Sequence, residues 1–153
     1  MPAPTANPIL KTSRSDLLRD LDLTDDELVS LLDLASEVKR RPAEYAHALA
    51  GKAVALLFEK PSLRTRLTFE LAIKQVGGES VFVEGPIGGR EPLKDVARNL
   101  DRWVNGIVAR VFSQDTAEEL ARWSAAPVIN ALSDLYHPCQ ALADVQTIRE
   151  RFG

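Results

Sequence analysis

Hydrophobic residues change their spacing partway along the chain, and that change predicts the architecture. Leu28, Leu31, Leu32, Ala35 and Val38 recur at helical intervals, the pattern of an amphipathic helix with one face on a core. Thr24 followed by Glu27 has the spacing of a capping box at the start of this helix, and Pro42 stops it. From Gly51 onward, short uninterrupted apolar runs alternate with helical stretches. Val54 to Phe58 has the length of a strand; a Pro-containing turn then leads to a helix from about Leu63 to Val76, closed by Gly77 and Gly78. Val81 to Val83 reads as a second strand. The glycine-rich loop from Gly85 to Arg90 precedes a helix with Leu93, Val96, Ala97, Leu100 and Val104 on one face, and Ile107 to Phe112 reads as a third strand. Thr116 and Glu119 predict a second capping box, for a helix reaching about Ser124. Pro127 to Ala131 reads as a fourth strand and Gln140 to about Arg151 as the last helix. Parallel strands need crossover connections, and strands free of polar residues are covered on both faces. The expected fold class is therefore α/β, three layers with a four-stranded parallel sheet flanked by helices. It would occupy residues 13–153, after a flexible lead-in of 1–12 in which Pro2, Pro4 and Pro8 interrupt any periodicity.

In open parallel sheets ligands bind beyond the carboxyl ends of the strands, so the chemistry belongs on the loops Glu59–Arg64, Glu84–Arg90, Ser113–Thr116 and Leu132–Gln140. Around the first loop, Ser62 and Thr65 offer hydroxyls, and Arg64 and Arg66 offer guanidiniums, in the first turn of a helix. The free N–H groups and positive dipole end of such a turn already favour an anion, and a phosphate would suit them. On the plainer reading, Ser62 only caps the helix and the two arginines are solvated. No G-x-x-x-x-G-K-[ST] nucleotide loop occurs anywhere. Arg110 interrupts the third apolar run near its carboxyl end. Either it reaches solvent there, or an acidic side chain or a bound anion must compensate it, since an unpaired buried guanidinium costs several kcal/mol. In His137-Pro138-Cys139-Gln140, Pro138 fixes a turn, while His137 and Gln140 offer hydrogen-bonding groups. Taken alone, a His-Pro pair is a weak signal, and His137 reads more readily as an ordinary turn or core histidine. Cys139 has no base nearby in the sequence to activate it and reads as a packed free thiol.

Composition narrows the partners. With 45% hydrophobic and 27% charged residues the chain falls in the globular class, not the disordered one. Nineteen Lys and Arg against 22 Asp and Glu leave a net charge of −3. That argues against nucleic acid or an anionic membrane surface as partner, so any anion site is local. A single cysteine excludes an intrachain disulfide, and with two histidines it cannot complete the four ligands of a structural zinc site. No apolar run approaches the roughly 18 residues of a membrane span. The first residues lack the basic and apolar regions of a secretory signal, and a reducing cytoplasm is the expected location.

Two strings then carry a family resemblance. Phe58-Glu59-Lys60-Pro61-Ser62-Leu63-Arg64-Thr65-Arg66-Leu67-Thr68-Phe69-Glu70 and His137-Pro138-Cys139-Gln140-Ala141-Leu142-Ala143-Asp144 resemble the two signature segments of the carbamoyltransferase family in its ornithine form. Arg110 fits the family's intervening arginine, and the resemblance runs from about Thr24 to the end. It implies an enzyme of arginine biosynthesis that joins carbamoyl phosphate to the side-chain amine of L-ornithine, giving citrulline and phosphate. No cofactor or metal is expected, because the amine attacks directly and phosphate is a competent leaving group. By resemblance, Ser62, Leu63 (through its backbone N–H), Arg64, Thr65 and Arg110 bind the phosphate. Arg64, Thr65 and His137 form the catalytic set that polarises the carbonyl and stabilises the oxyanion of the tetrahedral intermediate. Gln140 holds the carbamoyl amide, and Leu132 resembles a position that touches ornithine.

The resemblance also implies a homotrimer for the complete enzyme. Family chains are about twice this length, with an amino-acid-binding domain in the second half, so the expectation is a carbamoyl-phosphate-binding half that is inactive alone, as an excised domain or a truncated product. Family members usually carry a Gln before the glycine-rich segment that reaches a neighbouring subunit's site; here that loop is shortened to Glu84-Gly85-Pro86-Ile87-Gly88-Gly89-Arg90. Two alternatives stand beside this reading. One is the aspartate-type domain, which usually has Thr where Cys139 stands and lacks Lys60-Pro61; the other is a non-catalytic phosphate-binding or assembly module.

Overall fold

Four parallel strands form one sheet in the order β2-β1-β3-β4: β1 Ala53–Phe58, β2 Glu79–Glu84, β3 Gly106–Arg110 and β4 Val128–Leu132. The computed structural model describes residues 12, 13 and 15–153; apart from Thr12, the expected lead-in lies outside the described residues. The helices are α1 Asp25–Arg40, α2 Leu63–Gln75, α3 Leu93–Leu100, α4 Gln114–Trp123 and α5 Pro138–Phe152, with a short 3-10 turn over Pro42–Tyr45. Alternate residues of a strand face opposite sides, and the two sides carry separate cores. Ala55, Leu57, Ile107, Ala109 and Val128 pack with Ala97 of α3 and Ala117 and Leu120 of α4. Leu56, Phe58, Val108 and Ala131 pack with Ile73 and Phe69 of α2 on the other side. These are the three layers that the spacing predicts.

Local chemistry sets the element ends. At Thr24 both halves of the capping box are made: its hydroxyl accepts the Glu27 N–H at 3.3 Å, and the Glu27 carboxylate accepts the Thr24 N–H at 2.8 Å. Backbone hydrogen bonds from Thr24 and then Ser13 hold the Glu27 carboxyl down to about 2. The second predicted capping box does not form. Ser113 is the N-cap of α4, its hydroxyl accepting the Asp115 N–H at 3.2 Å, and Thr116 already lies inside the first turn, donating its N–H to the Ser113 carbonyl. Helix α5 begins at Pro138, two residues earlier than the apolar spacing predicts, because proline at the first helical position gives up only an N–H that would have had no partner. Helix α2 ends where Gly77 takes φ +83°; a Cβ there would meet the Ala46 carbonyl oxygen at 2.5 Å, so the turn requires glycine.

The edges differ from the centre. Strand β2, at the edge of the sheet, is not the continuously buried strand the apolar run suggests: Val81 and Val83 are about half exposed, at 52% and 49%, because β2 packs through the opposite face, where Phe82 joins the α2 side of the core. The β4 edge is covered by the chain's own start. Leu17 donates its N–H to the Val128 carbonyl at 2.9 Å and accepts from the Asn130 N–H at 2.8 Å, while Asp16 accepts the Val128 N–H. Helix α1 lies against α5 through Lys39–Glu150 at 2.7 Å, the Arg149–Asp33 pair and a Gln146–Ser36 hydrogen bond.

Candidate functional site

The chain leaves β1 to one side to build β2, then crosses to the other side of β1 to build β3. The carboxyl ends of β1 and β3 therefore diverge at a switch point, where a crevice opens. A cleft of about 560 Å³ lies there, lined by Ser62, Arg64 and Thr65 of the β1–α2 turn, Arg110 of β3, Leu132 of β4, and His137 and Gln140 of the β4–α5 turn. Seven of the eight residues that the resemblance assigns to the site meet in this one place, although they come from three separate stretches of the chain. The eighth, Leu63, points its side chain to solvent at 75% exposure, so only its backbone is available to a ligand.

At the start of α2, Ser62 stands in the N-cap position with extended backbone, yet its hydroxyl makes no capping hydrogen bond. The first-turn N–H groups are thus not engaged by their own cap, which leaves them and the hydroxyl available to an anion. Arg66 belongs elsewhere. Its Nε donates to Glu70 at 2.9 Å and its guanidinium lies over the Phe82 ring at 3.7 Å, so of the two first-turn arginines only Arg64 serves the cleft.

Arg110 ends β3 opposite Phe58 of β1. A slip in the β3–β4 register between Ala109 and Arg110, which pair with Asn130 and Leu132, adds a residue on β4, and irregularities of this kind re-aim the side chains beside them. Its Nε is buried without a hydrogen-bond partner, and burial pulls the guanidinium below its usual pKa. Among the described residues neither Arg64 nor Arg110 has an ion-pair partner, and no carboxylate lines the cleft.

His137 caps α5, its carbonyl accepting the N–H groups of Gln140 and Ala141, and its Nδ1 is buried without a partner. Burial depresses its pKa most, the Arg110 charge adds to that, and Asp20 and Asp144 oppose it. The imidazole is therefore biased to the neutral form, one nitrogen donating and the other accepting. Gln140 is held by its own helix, with Nε2 donating to Asp144 Oδ1 at 2.8 Å. Cys139 also lines the cleft, but burial pushes its thiol up to about 11, so it is a packed thiol and not a nucleophile.

The structure adds residues the sequence reading missed. Thr68, Phe69 and Ala143 complete the lining; Thr68 lies four residues beyond Arg64, and helical spacing alone could have found it. Glu59 gave no such signal. Just beyond β1, its carboxylate accepts the Ile87 N–H at 3.2 Å and the Phe112 N–H at 2.8 Å, tying together the loops that follow β1, β2 and β3. A second cleft of about 550 Å³ lies under the glycine-rich loop and holds none of the candidate residues.

Residues 15–150 match the family described as aspartate/ornithine carbamoyltransferase, carbamoyl-P binding domain. Ornithine carbamoyltransferase of Shewanella oneidensis is 52% identical over 134 residues, 86% of this chain and 44% of that protein. That of Thermus thermophilus is 52% identical over 145 residues, 93% of this chain and 48% of that protein. The crystal structure of the Thermus thermophilus enzyme superposes with a TM-score of 0.86 over 93% of this chain and 50% of that one. The enzyme of Burkholderia thailandensis, 38% identical, superposes with a TM-score of 0.88 over 92% and 50%. The chain spans about half the length of the curated relatives it matches.

Proposed function

From the premise that this chain belongs to the aspartate/ornithine carbamoyltransferase family through its carbamoyl-phosphate-binding domain, we propose that the cleft binds carbamoyl phosphate for transfer of the carbamoyl group to L-ornithine. One observation carries this reading: two guanidiniums without ion-pair partners among the described residues, three hydroxyls and an uncapped helix N-terminus converge on a cleft lined by no carboxylate. Such an arrangement suits a phosphate dianion, because charge-assisted bonds to guanidinium are strong and directional and the helix end adds a fixed partial charge. Arg64, Arg110, Ser62, Thr65 and the Leu63 N–H hold the phosphate. Arg64, Thr65 and His137 face the carbonyl oxygen, where negative charge grows as the amine adds; donors already in place stabilise that charge without reorganising. Gln140 takes the carbamoyl NH2. Collapse of the tetrahedral intermediate breaks its C–O bond to phosphate, and the proton shed by the amine passes to the leaving phosphate among the cations that bound it.

On the same reading the amine is delivered by a second domain outside these 153 residues, with Leu132 its contact on this side. The complete enzyme is a cytoplasmic homotrimer of arginine biosynthesis, and the half-exposed Val81 and Val83 on the open edge of the sheet are a surface suited to assembly. Calorimetric titration with carbamoyl phosphate is the direct test: saturable one-site binding, competed by inorganic phosphate, is expected. Heat no greater than dilution would remove the reading.

A further inference from the structure

We propose that Asp144 is a positioning residue that decides which end of the Gln140 amide faces the cleft, and so makes the site prefer a carbamoyl group to an acyl group on the same phosphate. The inference rests on the carbamoyl-phosphate reading above and deepens it.

A glutamine amide has a donor end and an acceptor end, and the two are nearly the same shape. Left free in a cleft, it can present either. Gln140 is not free: Asp144 follows it by one turn on α5, and Asp144 Oδ1 accepts from Gln140 Nε2 at 2.8 Å. A carboxylate offers acceptors only, so only the NH2 end of the amide can face it. That leaves Oε1, which has no partner among the described residues, as the end Gln140 can offer to the cleft it lines.

The consequence is chemical selectivity. Of the other polar groups of the lining, the two guanidiniums only donate, and the hydroxyls of Ser62, Thr65 and Thr68 and the His137 imidazole can donate to the phosphate and carbonyl oxygens. Phosphate and carbonyl oxygens satisfy donors. A carbamoyl group also carries an NH2, which needs an acceptor, and Gln140 Oε1 supplies one. Acetyl phosphate has the same outline with a methyl group in that place and gains nothing from it. Asp144 is also within electrostatic reach of His137, on the side of the cleft that faces the carbonyl in this reading.

The competing view is that Gln140 and Asp144 are only a surface pair four residues apart that steadies a helix. Titrating the full chain with carbamoyl phosphate, acetyl phosphate and inorganic phosphate separates the two, because removing a carboxylate strengthens all three anions alike and cancels in a ratio. In the wild type carbamoyl phosphate should bind more tightly than acetyl phosphate. Asp144→Asn, which lets the amide turn, should reduce that preference by about three- to tenfold, the range of one net hydrogen bond. Asp144→Glu should restore it, and Gln140→Ala should give the floor. An unchanged ratio in Asp144→Asn, with the preference lost in Gln140→Ala, would show that Asp144 does not orient the amide. A wild type that binds carbamoyl phosphate with no preference over acetyl phosphate would overturn this inference and leave the functional reading intact. A wild type that does not bind carbamoyl phosphate would overturn both.

Discussion

Arg64 and Arg110 carry positive charge into a chain of net charge −3, and neither is neutralised by a neighbouring carboxylate among the described residues. Replacing Arg64 by Ala should cost about 2–5 kcal/mol of ligand binding, since the remaining phosphate charge is left partly desolvated; thermal shift with carbamoyl phosphate should then show almost no stabilisation. In the proposed reading His137 has a different task, facing the carbonyl and not the phosphate. His137→Ala should weaken carbamoyl phosphate while leaving inorganic phosphate nearly unaffected, a comparison that calorimetry reads directly. The same histidine should leave a mark on stability. Its folded pKa is depressed, so the unfolded chain binds the proton more readily and stability is lost as pH falls through the ordinary histidine range. Between about pH 7 and about pH 5 the wild type should therefore lose more denaturant resistance than His137→Gln, measured as urea midpoints at both ends. At this scale the residue types were readable from sequence: hydroxyls and guanidiniums at a helix start, and an arginine breaking an apolar run. Glu59 was not, because the N–H groups it accepts lie 28 and 53 residues away.

Among the elements, helix ends separate what spacing can and cannot decide. Thr24 and Thr116 both precede a glutamate by three residues, yet only Thr24 caps a helix. The difference lies in what comes before. After β3 the chain is still tied to its neighbours, with the Val111 N–H on the Leu132 carbonyl and the Phe112 N–H on Glu59. The first residue free to turn is Ser113, so the N-cap lies three residues ahead of Thr116 and the helix begins at Gln114. Ser113→Ala should accordingly cost about 1 kcal/mol in chemical denaturation, and Thr116→Ala no more than a few tenths. Equal losses at the two sites would mean that α4 starts elsewhere. Arg66 teaches the same point: it shares the first turn of α2 with Arg64, but the helix turns it toward Glu70 and Phe82 and away from the cleft.

For the molecule as a whole, the sheet order brings the β1–α2 turn, the end of β3 and the β4–α5 turn to one crevice. That crevice gathers groups suited to one reactant of a two-reactant transfer. Orienting both partners can be worth an effective concentration of roughly 10⁵ M or more, a contribution that no loop of this chain replaces if the amine sits on another domain. The purified 153-residue chain should thus bind carbamoyl phosphate and make no citrulline with ornithine, in an assay that includes a full-length ornithine carbamoyltransferase as control. Sustained turnover by the short chain would show that the amine site lies within it.

By itself the sequence determined the α/β class, the four strands and the chemistry of the two signature strings, because periodicity, turn residues and side-chain type are local properties of the chain. Tertiary structure alone decided that Arg64 and not Arg66 enters the cleft, that the Leu63 side chain faces solvent, that β2 is a half-exposed edge, and that Glu59 ties three loops together. Each of these depends on which segments lie side by side, and strand order sets that through burial and backbone pairing between residues far apart in the chain, which spacing along it does not encode.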